Sequence, residues 1–182
     1  MESAGLKEWA IVCEAMGRGE QSVILRKGGL AEGRTGFAFR HSEFFLFPTF
    51  FHEQVDKVRV SGAEIPNGRE GEIEIRFFAR LVAATQITSW EIAAALEPFH
   101  VLQQSAVRER FEYDDKPGLH MALVRVFRLA PGWILPNAPK YGGCRSWVTL
   151  PECPGKTQFE PVLSNRAHDA LVERFRAITG SI

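Results

Sequence analysis

Two glycine pairs flanked by cations carry the most pointed chemistry in this chain. Arg26-Lys27-Gly28-Gly29 follows the apolar run Val23-Ile24-Leu25, so a strand ends in two cations and a turn whose glycines permit positive φ. Backbone N–H groups turned outward beside two cations suit an anion, above all a phosphate. The Gly-x-x-x-x-Gly-Lys-Ser/Thr loop of nucleotide hydrolases is absent. Tyr141-Gly142-Gly143-Cys144-Arg145-Ser146-Trp147 has a related logic. Its glycines let backbone approach a ligand, Arg145 offers a planar fork of donors, and Tyr141 and Trp147 are rings on which a base can stack. The competing reading is a turn into a strand, with Trp147 in the core.

His41, Glu43, His52 and Glu53 are the residue types of general acid–base catalysis or metal ligation. Salt-bridged strand ends are the preferred reading of them. His41-Ser42-Glu43 matches the first half of a zinc deaminase signature, but the second half, Pro-Cys-x-x-Cys, is missing, and Cys144 and Cys153 lie nine positions apart. Glu74-Ile75-Arg76 approximates the Glu-x-Lys of restriction-type nucleases, with arginine for lysine and no convincing upstream aspartate. No Arg-Glu-x-x-Glu-Glu helix supports a Nudix hydrolase, and Cys144 has no adjacent histidine to activate it. The expectation is therefore no metal and no cofactor, with a phosphate or ligand site at Arg26, Lys27, Gly28, Gly29, Tyr141, Gly143, Arg145 and Trp147. Whether the chain is an enzyme stays open.

Composition narrows the classes. With 22 basic and 22 acidic residues the net charge is zero, so attraction to nucleic acid has to come from a local patch. A chain of 182 residues suits one well-buried domain, and 45% hydrophobic with 24% charged residues is ordinary for a globular protein. No apolar run approaches the roughly 18 residues of a membrane span. The N-terminus MESAGLKEW lacks the basic and apolar regions of a secretion signal, and three cysteines are too few for a disulfide framework. A cytoplasmic protein with reduced thiols, away from membranes, is expected.

The elements that must position these residues follow from periodicity. Leu6, Trp9, Ala10, Cys13 and Met16 recur at helical spacing, with Ser3 as N-cap and Gly17 and Gly19 as stops. A strand is the competing reading there. Seven of the fourteen phenylalanines fall between Phe37 and Phe51, and Glu43 to Phe47 reads as an interior strand that Pro48 ends or forces to an edge. In residues 72–78, Ile73, Ile75 and Phe77 alternate with Glu72, Glu74 and Arg76, the pattern of a half-buried strand. Thr88 and Glu91 form a capping-box signature for a helix limited by Pro98. A second helix is expected over Ser105 to Glu112, then a strand through Met121, Leu123, Phe127 and Leu129. Pro131 to Gly143 and Pro151 to Pro161 read as connections on either side of a last short strand, Trp147 to Leu150. Ser164 caps a closing amphipathic helix presenting Leu171, Phe175 and Ile178. The sum is one α+β domain over residues 1–182, with a mixed or mainly antiparallel sheet of about five strands. Helices stand near the N-terminus, in the middle and at about 164–179.

Three segments, LKEWAIVCEAMGRGEQSVILRKGGL, HSEFFLFPTFFHEQ and YGGCRSWVTLP, resemble in order the uncharacterised prokaryotic family called domain of unknown function 1802, over about residues 6–150. The resemblance implies association with restriction-endonuclease-like domains, hence a restriction–modification or defence setting. The preferred function is a binding module for nucleic acid or nucleotide phosphate acting with such a restriction-type partner. The competing classes are a hydrolase or nuclease using His41, Glu43, His52 or Glu53, and a purely structural interaction protein. Oligomeric state is beyond the sequence.

Overall fold

The computed structural model describes residues 3–27, 37–60, 66 and 68–180. They form a seven-stranded mixed sheet and four α-helices, an α+β domain. Strand order is β2 (Val23–Arg26), β5 (Leu119–Pro136), β4 (Glu72–Ile87), β3 (Glu43–Thr49), β1 (Ser3–Trp9), β6 (Trp147–Leu150), and β7 (Gln158–Pro161) adds to the far half of β5. Among the described pairs β1 and β3 run parallel and the rest antiparallel.

The Phe-rich strand behaves as its composition requires. Phe44 and Leu46 point into a large core under the helices, while Phe45 and Phe47 point into a smaller core on the opposite face. A strand buried on both sides reads as a continuous apolar run. Pairing with β4 stops at Phe45, and Pro48 pairs only with Glu8 of β1, so the proline falls where the strand has become an edge on that side.

The N-terminal helix is half correct. Leu6 lies in β1, and α1 (Ala10–Gly17) starts only after Trp9. The helical spacing is genuine, but β1 has parallel and antiparallel partners on its two sides, and that pairing outweighs a local period. Ser3 accordingly pairs with Leu150 in the sheet instead of capping a helix.

Residues 131–136, expected as irregular connection, continue β5. Between Ile75↔Trp133 and Phe77↔Arg128 the β4–β5 register shifts, and Pro131 and Gly132 sit inside that irregularity, where no ladder hydrogen bond is required of the proline. The same shift reverses the alternation of β4: Ile73 and Ile75 face the smaller core, whereas Phe77 faces the larger one. Residues 158–161, expected as loop, form β7; all four are exposed, so no buried period announced them.

α2 (Trp90–Ala95) is capped by Ser89, whose hydroxyl accepts from the Ile92 N–H at 3.3 Å, one residue beyond the expected Thr88. α3 (Gln104–Phe111) and α4 (Asn165–Thr179) fall where the periodicity placed them, and Ser164 caps α4 by accepting from Ala167 N–H. Phe175 of α4 is sealed against Phe99 in the larger core.

Candidate functional site

Three strands separate β2 from β1 in the sheet, yet Arg26 at the end of β2 reaches Glu8 of β1. The sheet is therefore strongly curled, and its concave face brings the two ends together. Arg26 Nη2 lies 3.4 Å from Glu8 Oε2, with Glu8 only 3% exposed and Arg26 20%. This is an ion pair outside hydrogen-bond geometry: Nε and Nη2 of Arg26 are both buried with no hydrogen-bond partner among the described residues. Glu8 takes the Trp9 N–H at 2.8 Å on its other oxygen.

Arg110 of α3 completes the cluster. Its guanidinium lies 4.5 Å from the centre of the Trp9 ring and donates to the Leu25 carbonyl at 3.0 Å. Burial pushes the Arg110 pKa down to about 10, with Glu8 opposing the shift and Arg26 reinforcing it. Thr49 Oγ1 donates to the Glu8 carbonyl at 3.0 Å, and Gln54 Nε2 donates to the Thr49 carbonyl at 2.6 Å, which fixes the end of β1. Cys13 beneath it is buried, and burial raises its thiol well above the ordinary range, so it is held as the neutral thiol. Two guanidiniums and one carboxylate leave a local positive balance, with a donor fork on Arg26 and an acceptor on Glu8. Such a set can hold an anionic group beside a donor-bearing edge.

The neighbouring Lys27 is occupied differently. Its ammonium donates to the Lys116 carbonyl at 2.6 Å and pairs with Asp114 at 2.9 Å, pinning the turn after α3. Gly28 and Gly29 lie outside the described residues, so the expected approach of the two glycine pairs is not among the described geometry.

The second glycine pair is turned toward a cation of its own. Lys7 Nζ donates to the Gly142 and Gly143 carbonyls at 3.0 and 2.8 Å. Burial lowers the Lys7 pKa, Cys144 opposes this, and Arg145 adds to it. Gly143 has φ +74° and open space where a side chain would stand, so backbone conformation is what calls for glycine there. Arg145 and Cys144 are exposed. Tyr141 is 6% exposed and packs on Phe47 in the smaller core. Trp147 packs instead against the larger core, its ring stacked with Phe37, set edge-on to Phe44, and its Nε1 donating to the Ala38 carbonyl at 3.1 Å. The two rings therefore belong to opposite faces of the sheet and cannot sandwich one base.

Of the acid–base candidates, His41 is exposed and lies edge-on to Trp147 at 4.8 Å, and Glu43 is paired with Arg80 at 2.8 Å. His52 and Glu53 open a 3₁₀ turn, His52–Lys57, and their side chains lie outside the described set. Among the described residues no group of three or more His, Cys, Asp and Glu side chains could hold a metal ion, and no helix is long and apolar enough to cross a membrane. Sequence reasoning missed Glu8, Trp9 and Arg110. A buried glutamate in a strand is the signal that could have found the first, but only once residues 3–9 were read as a strand.

No curated protein matches the chain. Crystal structures of an ASCH protein from Zymomonas mobilis are similar to it: one at 14% identity and a TM-score of 0.46, covering 93% of each chain. A serine-to-alanine mutant of the same protein is similar at 14% identity and a TM-score of 0.43, covering 93% of this chain and 94% of that one. Residues 5–174, from β1 into the middle of α4, match the family model described as domain of unknown function (DUF1802), and the chain belongs to that family.

Proposed function

We propose that this protein binds nucleic acid or nucleotide phosphate, with Arg26 as the principal anion contact. The observation that carries this reading is the pair of buried Arg26 donors without a hydrogen-bond partner among the described residues. Buried polar groups are nearly always satisfied, and an arginine fork left open beside a second guanidinium suits phosphate oxygens. Glu8 gives the site an acceptor, which favours a ligand carrying N–H groups next to its phosphate, as a nucleotide does. Arg145, exposed on the turn before β6, is a further phosphate contact in this reading. Tyr141, Gly143 and Trp147 flank the Arg145 turn, and Lys27 pins the turn after α3. A restriction-type partner protein, implied by the family resemblance, would supply the setting in which such binding acts.

Calorimetric titration with AMP and with inorganic phosphate, on wild type and an Arg26→Lys variant, tests this. Lysine keeps the charge and loses the fork, so AMP affinity falls by roughly tenfold or more while the Glu8 ion pair is preserved. Equal AMP affinity in the two proteins, or no binding of either probe by wild type, refutes the reading.

A further inference from the structure

The convex side of the sheet carries a surface that the Arg26 cluster does not use. Four phenylalanines from four strands meet there. Phe45 of β3 touches Phe78 of β4 at 5.2 Å, Phe78 touches Phe159 of β7 at 5.0 Å and Phe127 of β5 at 6.1 Å. Phe45 is buried and anchors the row; Phe78 and Phe127 are half-buried and Phe159 is 42% exposed. The smaller core covers one end of this face, and the row ends in the exposed ring of Phe159.

Two arginines stand on the same face in register. Arg80 is directly opposite Arg125 across β4 and β5, next to the Phe78↔Phe127 pair. Their guanidinium carbons lie 5.3 and 5.6 Å from the centre of the Phe127 ring, so one ring is flanked by two cations. Like charges directly opposite on a sheet are destabilising. Glu43 offsets Arg80 alone, at 2.8 Å. Arg125 is held by Asn165, a neutral group, and its Nε is buried with no hydrogen-bond partner among the described residues. The face therefore keeps a positive excess beside the exposed ring of Phe159. Regularly spaced anions linked to stacking rings complement both properties at once.

We propose that this face binds single-stranded nucleic acid, with a base stacking on Phe159 and phosphates held by Arg80 and Arg125. The proposal rests on the reading that the protein binds nucleic acid, and it places that binding on a second surface with its own residues. A protein partner would be drawn to the same apolar rings, but it would not be expected to require the opposed cation pair. Strand binding here is sequence-tolerant and salt-sensitive, since every base has a π-face and the phosphates carry the charge.

The test is fluorescence anisotropy with labelled oligo(dT) and oligo(U) of about ten nucleotides, long enough for one such groove, across a salt series. Phe159→Ala lowers affinity roughly 5- to 150-fold, the range for loss of one base–ring stack. Because Phe159 sits on an exposed edge strand, its loss leaves the far-ultraviolet spectrum unchanged. Arg80→Gln lowers the log–log salt slope by about one. Phe159→Ala leaves AMP affinity unchanged while oligonucleotide binding falls, which separates this face from the Arg26 site. Absence of oligonucleotide binding by wild type, or affinity within about twofold in Phe159→Ala, overturns the proposal even if AMP binding at Arg26 holds. A wild-type dimer in sedimentation that Phe159→Ala dissociates, with no oligonucleotide bound, overturns it too and makes the face a self-association surface.

Discussion

Lowering the pH should destabilise this protein through His100. The residue lies between a 3₁₀ turn, Glu97–Phe99, and the Val58↔Leu102 bridge, and it is 3% exposed. Neither ring nitrogen has a well-formed hydrogen bond among the described residues, and only a weak approach to the Leu102 backbone opposes the lowering of its pKa. Burial is the main cause that lowers its pKa from 6.5 to about 4, and the nearby Arg59 and Arg110 guanidiniums push the same way. The folded protein thus holds the ring neutral over a range in which the unfolded chain protonates it. Stability is fully present above the unfolded value and is lost as pH falls from there to the folded value, between about 6.5 and about 4. At about 1.4 kcal/mol per pH unit of separation, the loss is on the order of 3 kcal/mol. Urea unfolding at a series of pH values measures it, with His100→Leu as the reference. Leucine fills the site without orphaning a polar neighbour, so the variant keeps its stability at neutral pH and its curve falls less steeply below about 6.5. His168, whose pKa burial and Arg125 also lower, leaves a residual slope in both proteins. Parallel curves for wild type and His100→Leu, or a His100 ring resonance titrating near 6.5, would refute the reasoning.

Two further substitutions probe the packing around the sites. Trp147→Ala removes a half-buried ring that contacts Phe37 and Phe44 and the hydrogen bond to Ala38, costing about 3 kcal/mol. Differential scanning calorimetry should show a melting temperature lowered by about 6–12 °C, and an unchanged midpoint would mean that the ring contributes nothing to the core. Gly17→Ala at the end of α1 would set a Cβ 2.1 Å from the Phe77 ring, which is 2% exposed and flanked by Arg76 and Arg128. The helix end must then shift, costing about 1–3 kcal/mol in urea unfolding, and a variant as stable as wild type would show that α1 moves freely over β4.

Local chemistry made much of this protein legible in its sequence. Val23 to Arg26 as a strand, Phe44 to Phe47 as a doubly buried one, and the Ser164-capped helix each have a signal within a few residues, and each stands where it was read. Arg26 was legible as a chemically interesting residue because a cation at a strand end before glycines has few purely local uses. What surrounds it was not legible. Glu8 meets Arg26 only because the five strands from β2 to β1 curl until β2 comes back to β1, a property of the whole sheet and of no segment. Lys27 and Arg26 are adjacent in the chain, yet one clamps the turn after α3 and the other is left with open donors, a difference set by which element packs on each. Residues 3–9, 131–136 and 158–161 escaped the sequence reading for a common reason. Their strand state comes from partners far along the chain: β3 and β6 for the first, β4 for the second, β5 for the third. Side-chain patterning reports burial within one element, whereas a β-ladder is decided by the backbone that arrives alongside it, and only the tertiary structure supplies that neighbour.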